Sequence, residues 1–124
     1  LAPDADITLL RRPESESPGD EVKLANRVVY SLDDALQLKP DIALIASPAA
    51  FHLQSALPLA EQGAHLFVEK PISHTLENVD TLINTCDARH SVLMVAYNFR
   101  FYRPLQLIKA ALNRGQIGRV IAYR

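Results

Sequence analysis

Glu69, Lys70 and Pro71 close the short apolar run His65-Leu66-Phe67-Val68. A carboxylate, an ammonium and a rigid ring thus stand where a buried strand ends. In an open parallel sheet, that edge is where ligands bind. Lys70 is the only lysine between Lys39 and Lys109 and follows an apolar stretch, so its charge calls for a partner or a ligand. Glu69 offers one opposite charge nearby. Such a pair alone is ordinary surface charge, and its surroundings decide its meaning. Ser47-Pro48, with His52, follows the apolar run 42–46, and Tyr97-Asn98-Phe99-Arg100 follows the run 92–96. Each cluster has an ordinary structural reading: Ser47 as a helix cap, His52 as a first-turn histidine, Arg100 as an ion-pair residue, and the aromatics as packing. Three such clusters at consecutive strand ends converge on one sheet edge, and we expect them to line one crevice. No metal ligand set is assigned.

The elements that must position these residues follow from periodicity. Ile7-Thr8-Leu9-Leu10 and Arg27-Val28-Val29-Tyr30 read as short strands, separated by a polar loop over 11–21 rich in proline and serine. Ser31 is an N-cap candidate, with Asp34 three residues on as a capping-box partner and Asp33 suited to the positive end of a brief helix running to about Leu38. Ile42-Ala43-Leu44-Ile45-Ala46 is continuously apolar, as a strand covered on both faces should be. Leu53, Ala56, Leu57 and Ala60 share a helical face that closes at Gly63, and Pro58 within it predicts a kink or a late start. A helix is expected over 75–90 from the stripe Leu76, Val79, Leu82, Ile83 and Cys86. Another is expected over 102–113, ending at Gly115. Strand–helix alternation of this kind predicts an α/β fold: a parallel sheet of about five strands with helices on both faces.

Composition narrows the function classes. The chain has 124 residues, 48% of them apolar and 22% charged, with a net charge of −1. That balance gives no electrostatic reason to expect nucleic-acid or membrane-surface binding. No apolar stretch approaches the ~20 residues of a membrane-spanning helix, and no secretory signal pattern is present. One cysteine, Cys86, excludes an internal disulfide framework and fits a reducing compartment, so a cytoplasmic location is expected. Leu1 at the start and a strand-like run over 119–124 at the end read as parts of a longer chain.

Residues 41–118 resemble the glucose–fructose oxidoreductase/inositol dehydrogenase/MocA (Gfo/Idh/MocA) family of nicotinamide-dependent dehydrogenases. The matching pieces are Asp41-Ile42-Ala43-Leu44-Ile45-Ala46-Ser47-Pro48, His52, Gly63-Ala64-His65, Glu69-Lys70-Pro71-Ile72-Ser73, Ala96-Tyr97-Asn98-Phe99-Arg100-Phe101 and Gly115-Gln116-Ile117-Gly118, in that order. The resemblance implies a partial Rossmann-type doubly wound domain over 1–98. It implies that 99–124 form the connecting helix and first strand of a second, α+β domain. It also implies hydride transfer to or from a sugar, inositol or sugar-nucleotide. Lys70 would act on the reacting oxygen, with Tyr97 and Arg100 on the substrate side. Ser47, Pro48, His52, Glu69, Asn98 and Arg100 would border the cofactor, together with Lys70. A cis Lys70–Pro71 bond is expected, turning Lys70 sharply from its strand. The whole protein is expected to be a homo-oligomer through its second domain.

Two features depart from the family pattern. The chain has four glycines and no G-x-G-x-x-G phosphate loop, which is expected before Leu1. The second domain's catalytic histidine is expected after Arg124. The segment alone is therefore expected to be catalytically incompetent. After the first strand, dinucleotide folds place an acidic residue for NAD or a basic one for NADP. Arg11-Arg12 stands there, and the balance falls to NADP over NAD, with both residues assigned to the cofactor. Two rivals are a family member that keeps the fold as a non-catalytic, dinucleotide-binding regulator, and a phospho-receiver signalling domain. The latter needs a strand-end aspartate, where this chain has Tyr30-Ser31 and Ala46-Ser47.

Overall fold

The computed structural model describes residues 4–12 and 19–122, the side chains of 20 and 21 excepted. Five strands occur: β1 (Thr8–Leu10), β2 (Arg27–Val29), β3 (Ile42–Ile45), β4 (His65–Glu69) and β5 (Leu93–Ala96). Four helices accompany them: α1 (Leu32–Gln37), α2 (His52–Glu61), α3 (Val79–Ala88) and α4 (Arg103–Asn113). Every strand pairing is parallel. The strands form two ladders, β1–β2 and β3–β4–β5, rather than the single sheet expected. They match the pair 3-2 and the triplet 4-5-6 of the doubly wound order 3-2-1-4-5-6, in which strand 1 lies between them.

Local chemistry explains the helix ends. Ser31 Oγ accepts from the Asp34 amide at 3.1 Å, capping α1. At the end of α2, Gly63 (φ 89°) donates to Ala60 O, and Ala64 donates to Leu59 O at 3.1 Å. That paired closure needs a left-handed residue, which glycine supplies without steric cost. Gly115 closes α4 in the same way, with Gln116 donating to Ala111 O. At the end of α3 the left-handed position falls to His90, with φ 55°. α2 begins at His52 and continues through Pro58, so the late start expected from that proline does not occur.

The core is one cluster centred on Leu66, Val68, Leu82, Ala56 and Ala60. Register places Leu66 between Ala43 and Leu93, and Val68 beside Ile45, and this face packs toward α2 and α3. The opposite face carries Ile42 (62% exposed), Leu44 (72%) and Met94 (44%). Helices on both faces of β3–β5 are therefore not found among the described residues. α1 packs on β1, β2 and α2, while α4 packs mainly on the 3₁₀ turn Asn98–Phe101.

The helix expected over 75–90 starts only at Val79. Asn78 is left-handed, with φ 61°, and that conformation interrupts any helix entering from Thr75. Leu76 consequently lies exposed, and Leu82 and Cys86 alone of the expected stripe are buried. Residues 119–122 are irregular, and the remainder of the expected terminal strand lies outside the described residues, as do residues 13–18 of the polar loop.

Candidate active site

Register fixes the geometry of the sheet edge. Ile45 pairs with Val68, and Val68 with Val95. Ser47, Lys70 and Tyr97 each follow these residues by two positions, so they leave the same end of three adjacent strands. Ser47, Pro48, Glu69, Lys70, Tyr97, Asn98 and Arg100 are all exposed there. The strands are parallel because helices α2 and α3 return the chain between them, so each strand delivers its last residues to the same side.

Lys70 and Glu69 do not form the ion pair their adjacency invites. Glu69 Oε2 accepts from the Lys70 main-chain amide at 3.2 Å, which folds the carboxylate back over the strand end. The ammonium has no ion-pair partner among the described residues, and it stays available to a ligand. The Lys70–Pro71 bond is cis, as expected. Tyr97 and Arg100 share an open groove along β5 with Leu93, Met94, Val95 and Phe101. Phe99 stacks obliquely on Tyr102, with ring centroids 6.1 Å apart. Gln106 Nε2 donates to Arg100 O at 3.4 Å, tying α4 to the turn that carries Arg100.

His52 is placed differently from its neighbours in sequence. It is 1% exposed, and both ring nitrogens face main-chain carbonyls, Nδ1 at 2.9 Å from Pro71 O and Nε2 at 2.6 Å from Ser47 O. Burial follows from its place at the start of α2, whose inner face packs on β4 and β3.

Arg11 and Arg12 follow β1, on the other ladder. The Arg11 amide donates to Val29 O at 3.0 Å, extending the β1–β2 ladder. The Arg12 guanidinium lies 4.7 Å from the centroid of Phe51, a cation–π contact that links the end of β1 to the turn before α2. Phe51 was not singled out by sequence. An aromatic residue just before His52 was the available signal, but nothing in spacing pairs it with Arg12.

Arg12 stands after β1, where dinucleotide folds place the residue that reads the adenosine ribose, and Lys70 stands at the end of β4 in the other ladder. The described residues contain no glycine-rich turn to cradle a pyrophosphate.

A family model described as an oxidoreductase family with an NAD-binding Rossmann fold matches residues 3–97. Levoglucosan dehydrogenase of Pseudarthrobacter phenanthrenivorans is 34% identical over 68% of this chain and 22% of its own length. Myo-inositol 2-dehydrogenase of Thermotoga maritima is 32% identical over 64% of the chain and 24% of its own. Among solved structures, the WlbA dehydrogenase from Bordetella pertussis, in complex with NADH and UDP-GlcNAcA, superimposes with a TM-score of 0.77 at 29% identity. That match covers 91% of this chain and 33% of that one. The chain thus spans between a fifth and a third of the length of these relatives.

Proposed function

The chain belongs to the Gfo/Idh/MocA oxidoreductase family, with its NAD-binding Rossmann fold, and from that premise we propose that the whole protein is a dehydrogenase. It moves a hydride between a nicotinamide cofactor and a hydroxyl or carbonyl carbon of a sugar, inositol or sugar-nucleotide. The observation that carries this is that Ser47, Lys70 and Tyr97 follow three adjacent parallel strands at the same end of the ladder, with the Lys70 ammonium unpaired among the described residues. The cofactor, when bound, supplies the two-electron acceptor or donor. Lys70 Nζ holds the reacting oxygen by hydrogen bonding and stabilises the negative charge that grows on it as the hydride leaves the carbon. The hydroxyl proton is released to solvent as the hydride leaves, and Lys70, already protonated, assists that release through its charge without accepting the proton. Ser47, Pro48, Glu69 and Asn98 border the cofactor, while Tyr97 and Arg100 face the substrate from the groove along β5.

The relatives' names support the substrate class, since they include enzymes of levoglucosan and myo-inositol. The phospho-receiver alternative is set aside by family membership and by β5 and α4, which continue the fold beyond α3. A non-catalytic regulator is the remaining rival, and turnover separates it. We place the whole protein in the cytoplasm, as a homo-oligomer. The single cysteine is free and buried, which suits a reducing compartment. No helix among the described residues is long and apolar enough to cross a membrane.

For the cofactor we propose NADP over NAD, with Arg11 and Arg12 beside the 2′-phosphate. The whole protein should reduce NADP+ in the presence of at least one member of a panel of polyols, aldoses and nucleotide sugars. It should bind NADPH more tightly than NADH. Replacing both arginines with alanine should narrow that gap by more than about 1 kcal/mol, because hydrogen bonds to charged groups are worth roughly 1.5–3 kcal/mol. An unchanged ratio of dissociation constants counts against the NADP assignment. Absence of turnover with the whole panel counts against the dehydrogenase.

A further inference from the structure

His52 is the one buried polar side chain among the described residues, and its two ring nitrogens reach two different strand ends. Ser47, whose carbonyl meets Nε2 at 2.6 Å, follows β3. Pro71, whose carbonyl meets Nδ1 at 2.9 Å, directly follows Lys70. The ladder between these two strands ends at the pair Ile45 and Val68. Beyond that pair, the imidazole joins the two departing chains. The ring itself is held from below, because His52 opens α2 and α2 packs on both β3 and β4. An imidazole donates through whichever ring nitrogen carries the proton, so the tautomer decides which of the two carbonyls accepts, while the other lies against the second nitrogen. No purely apolar side chain of similar volume can make either link.

We propose that His52 is the positioning residue for Lys70, a clamp beneath the sheet edge rather than a group that touches cofactor or substrate. By fixing Ser47 O and Pro71 O to one rigid ring, it sets the spacing between the β3 and β4 exits and hence where the Lys70 main chain starts. This inference rests on the role proposed above for Lys70. Misplacing a reacting group by about 1 Å costs on the order of 100-fold in rate, so a modest relaxation of the clamp is visible in turnover.

The test uses the whole protein and two variants. His52→Leu fills the volume without a donor, and His52→Gln restores an amide N–H. With both substrates saturating, His52→Leu should lower kcat by at least about tenfold, while the dissociation constant for the dinucleotide moves by less than about threefold. His52→Gln should recover part of the lost kcat. Retention of kcat in His52→Leu, or equal loss in both variants, overturns the clamp. If the whole protein turns over no sugar, the dehydrogenase reading falls, and the clamp is then judged by hydrogen exchange. The Lys70 and Ile72 amides should exchange at least about tenfold faster in His52→Leu, with Phe67 and Val68 unchanged. Equal rates at all four overturn it. If neither variant folds, the ring N–H signals of the unmutated protein decide. Slow exchange with solvent supports the clamp, and fast exchange overturns it.

Discussion

Lys70→Ala in the whole protein should lower kcat by at least about 100-fold, close to 2.7 kcal/mol of transition-state stabilisation. The expectation follows from its exposed place at the same strand ends as Ser47 and Tyr97, and from an ammonium that no carboxylate among the described residues engages. Dinucleotide affinity should change far less, because Lys70 is assigned to the reacting oxygen and not to the phosphates. Lys70→Arg should not restore turnover. A planar guanidinium fork spreads its charge and cannot stand in for a compact ammonium at one oxygen. Steady-state kinetics with saturating substrate, beside a binding titration for the cofactor, separates the two effects. Near-parental kcat in Lys70→Ala refutes the assigned chemistry.

The second large effect concerns the strand that delivers Lys70. Val68 is 0% exposed in the centre of the β3–β4–β5 ladder, among Ile45, Leu66 and Leu82. Val68→Asp would place a carboxylate there. Keeping that group neutral at about pH 7, against an unperturbed value of ~3.9, costs roughly 4 kcal/mol at ~1.36 kcal/mol per unit. Loss of the buried valine side chain adds on the order of 1.5 kcal/mol. The sum is comparable to the whole stability of a typical domain, about 5–15 kcal/mol. The protonation part has a definite sign. The introduced Asp is protonated in the folded state and ionised in the unfolded one at neutral pH, so its cost falls as pH drops toward ~4. Val68→Thr, similar in shape, should keep the fold. Denaturant unfolding of both variants at two pH values checks this. A Val68→Asp protein as stable as its parent at neutral pH would mean that β4 is not the buried strand described.

The sheet edge was legible in the sequence because its signals are local and repeated. Continuous apolar runs at 42–46, 65–68 and 92–96 each end in polar residues, and parallel pairing in register carries those ends to one side. Ser31 as a cap and the glycine closures after α2 and α4 were readable for the same reason, since each depends on residues within one turn. What escaped depends on contacts distant in sequence or on one backbone angle. The start of α3 turned on Asn78 adopting a left-handed conformation, which an amphipathic stripe through Leu76 does not disclose. Burial on both faces of β3 was inferred from its composition, yet only the face toward α2 and α3 is covered among the described residues. The Arg12–Phe51 stack joins residues 39 positions apart on different ladders, beyond any periodicity. His52 was noted as polar near a strand end, but its double engagement with Ser47 O and Pro71 O exists only once β3 and β4 are side by side.

In the proposed enzyme Lys70 meets the reacting end of a nicotinamide at the carboxyl edge of β4. A crystal structure of the whole protein with bound dinucleotide measures this directly. The nicotinamide ring is expected beside the strand ends that carry Ser47, Lys70 and Tyr97. Lys70 Nζ should come within about 3–3.5 Å of a substrate oxygen or of the position it occupies beside the ring. A nicotinamide bound away from that edge, or a Lys70 ammonium turned into an ion pair with another part of the protein, would contradict it.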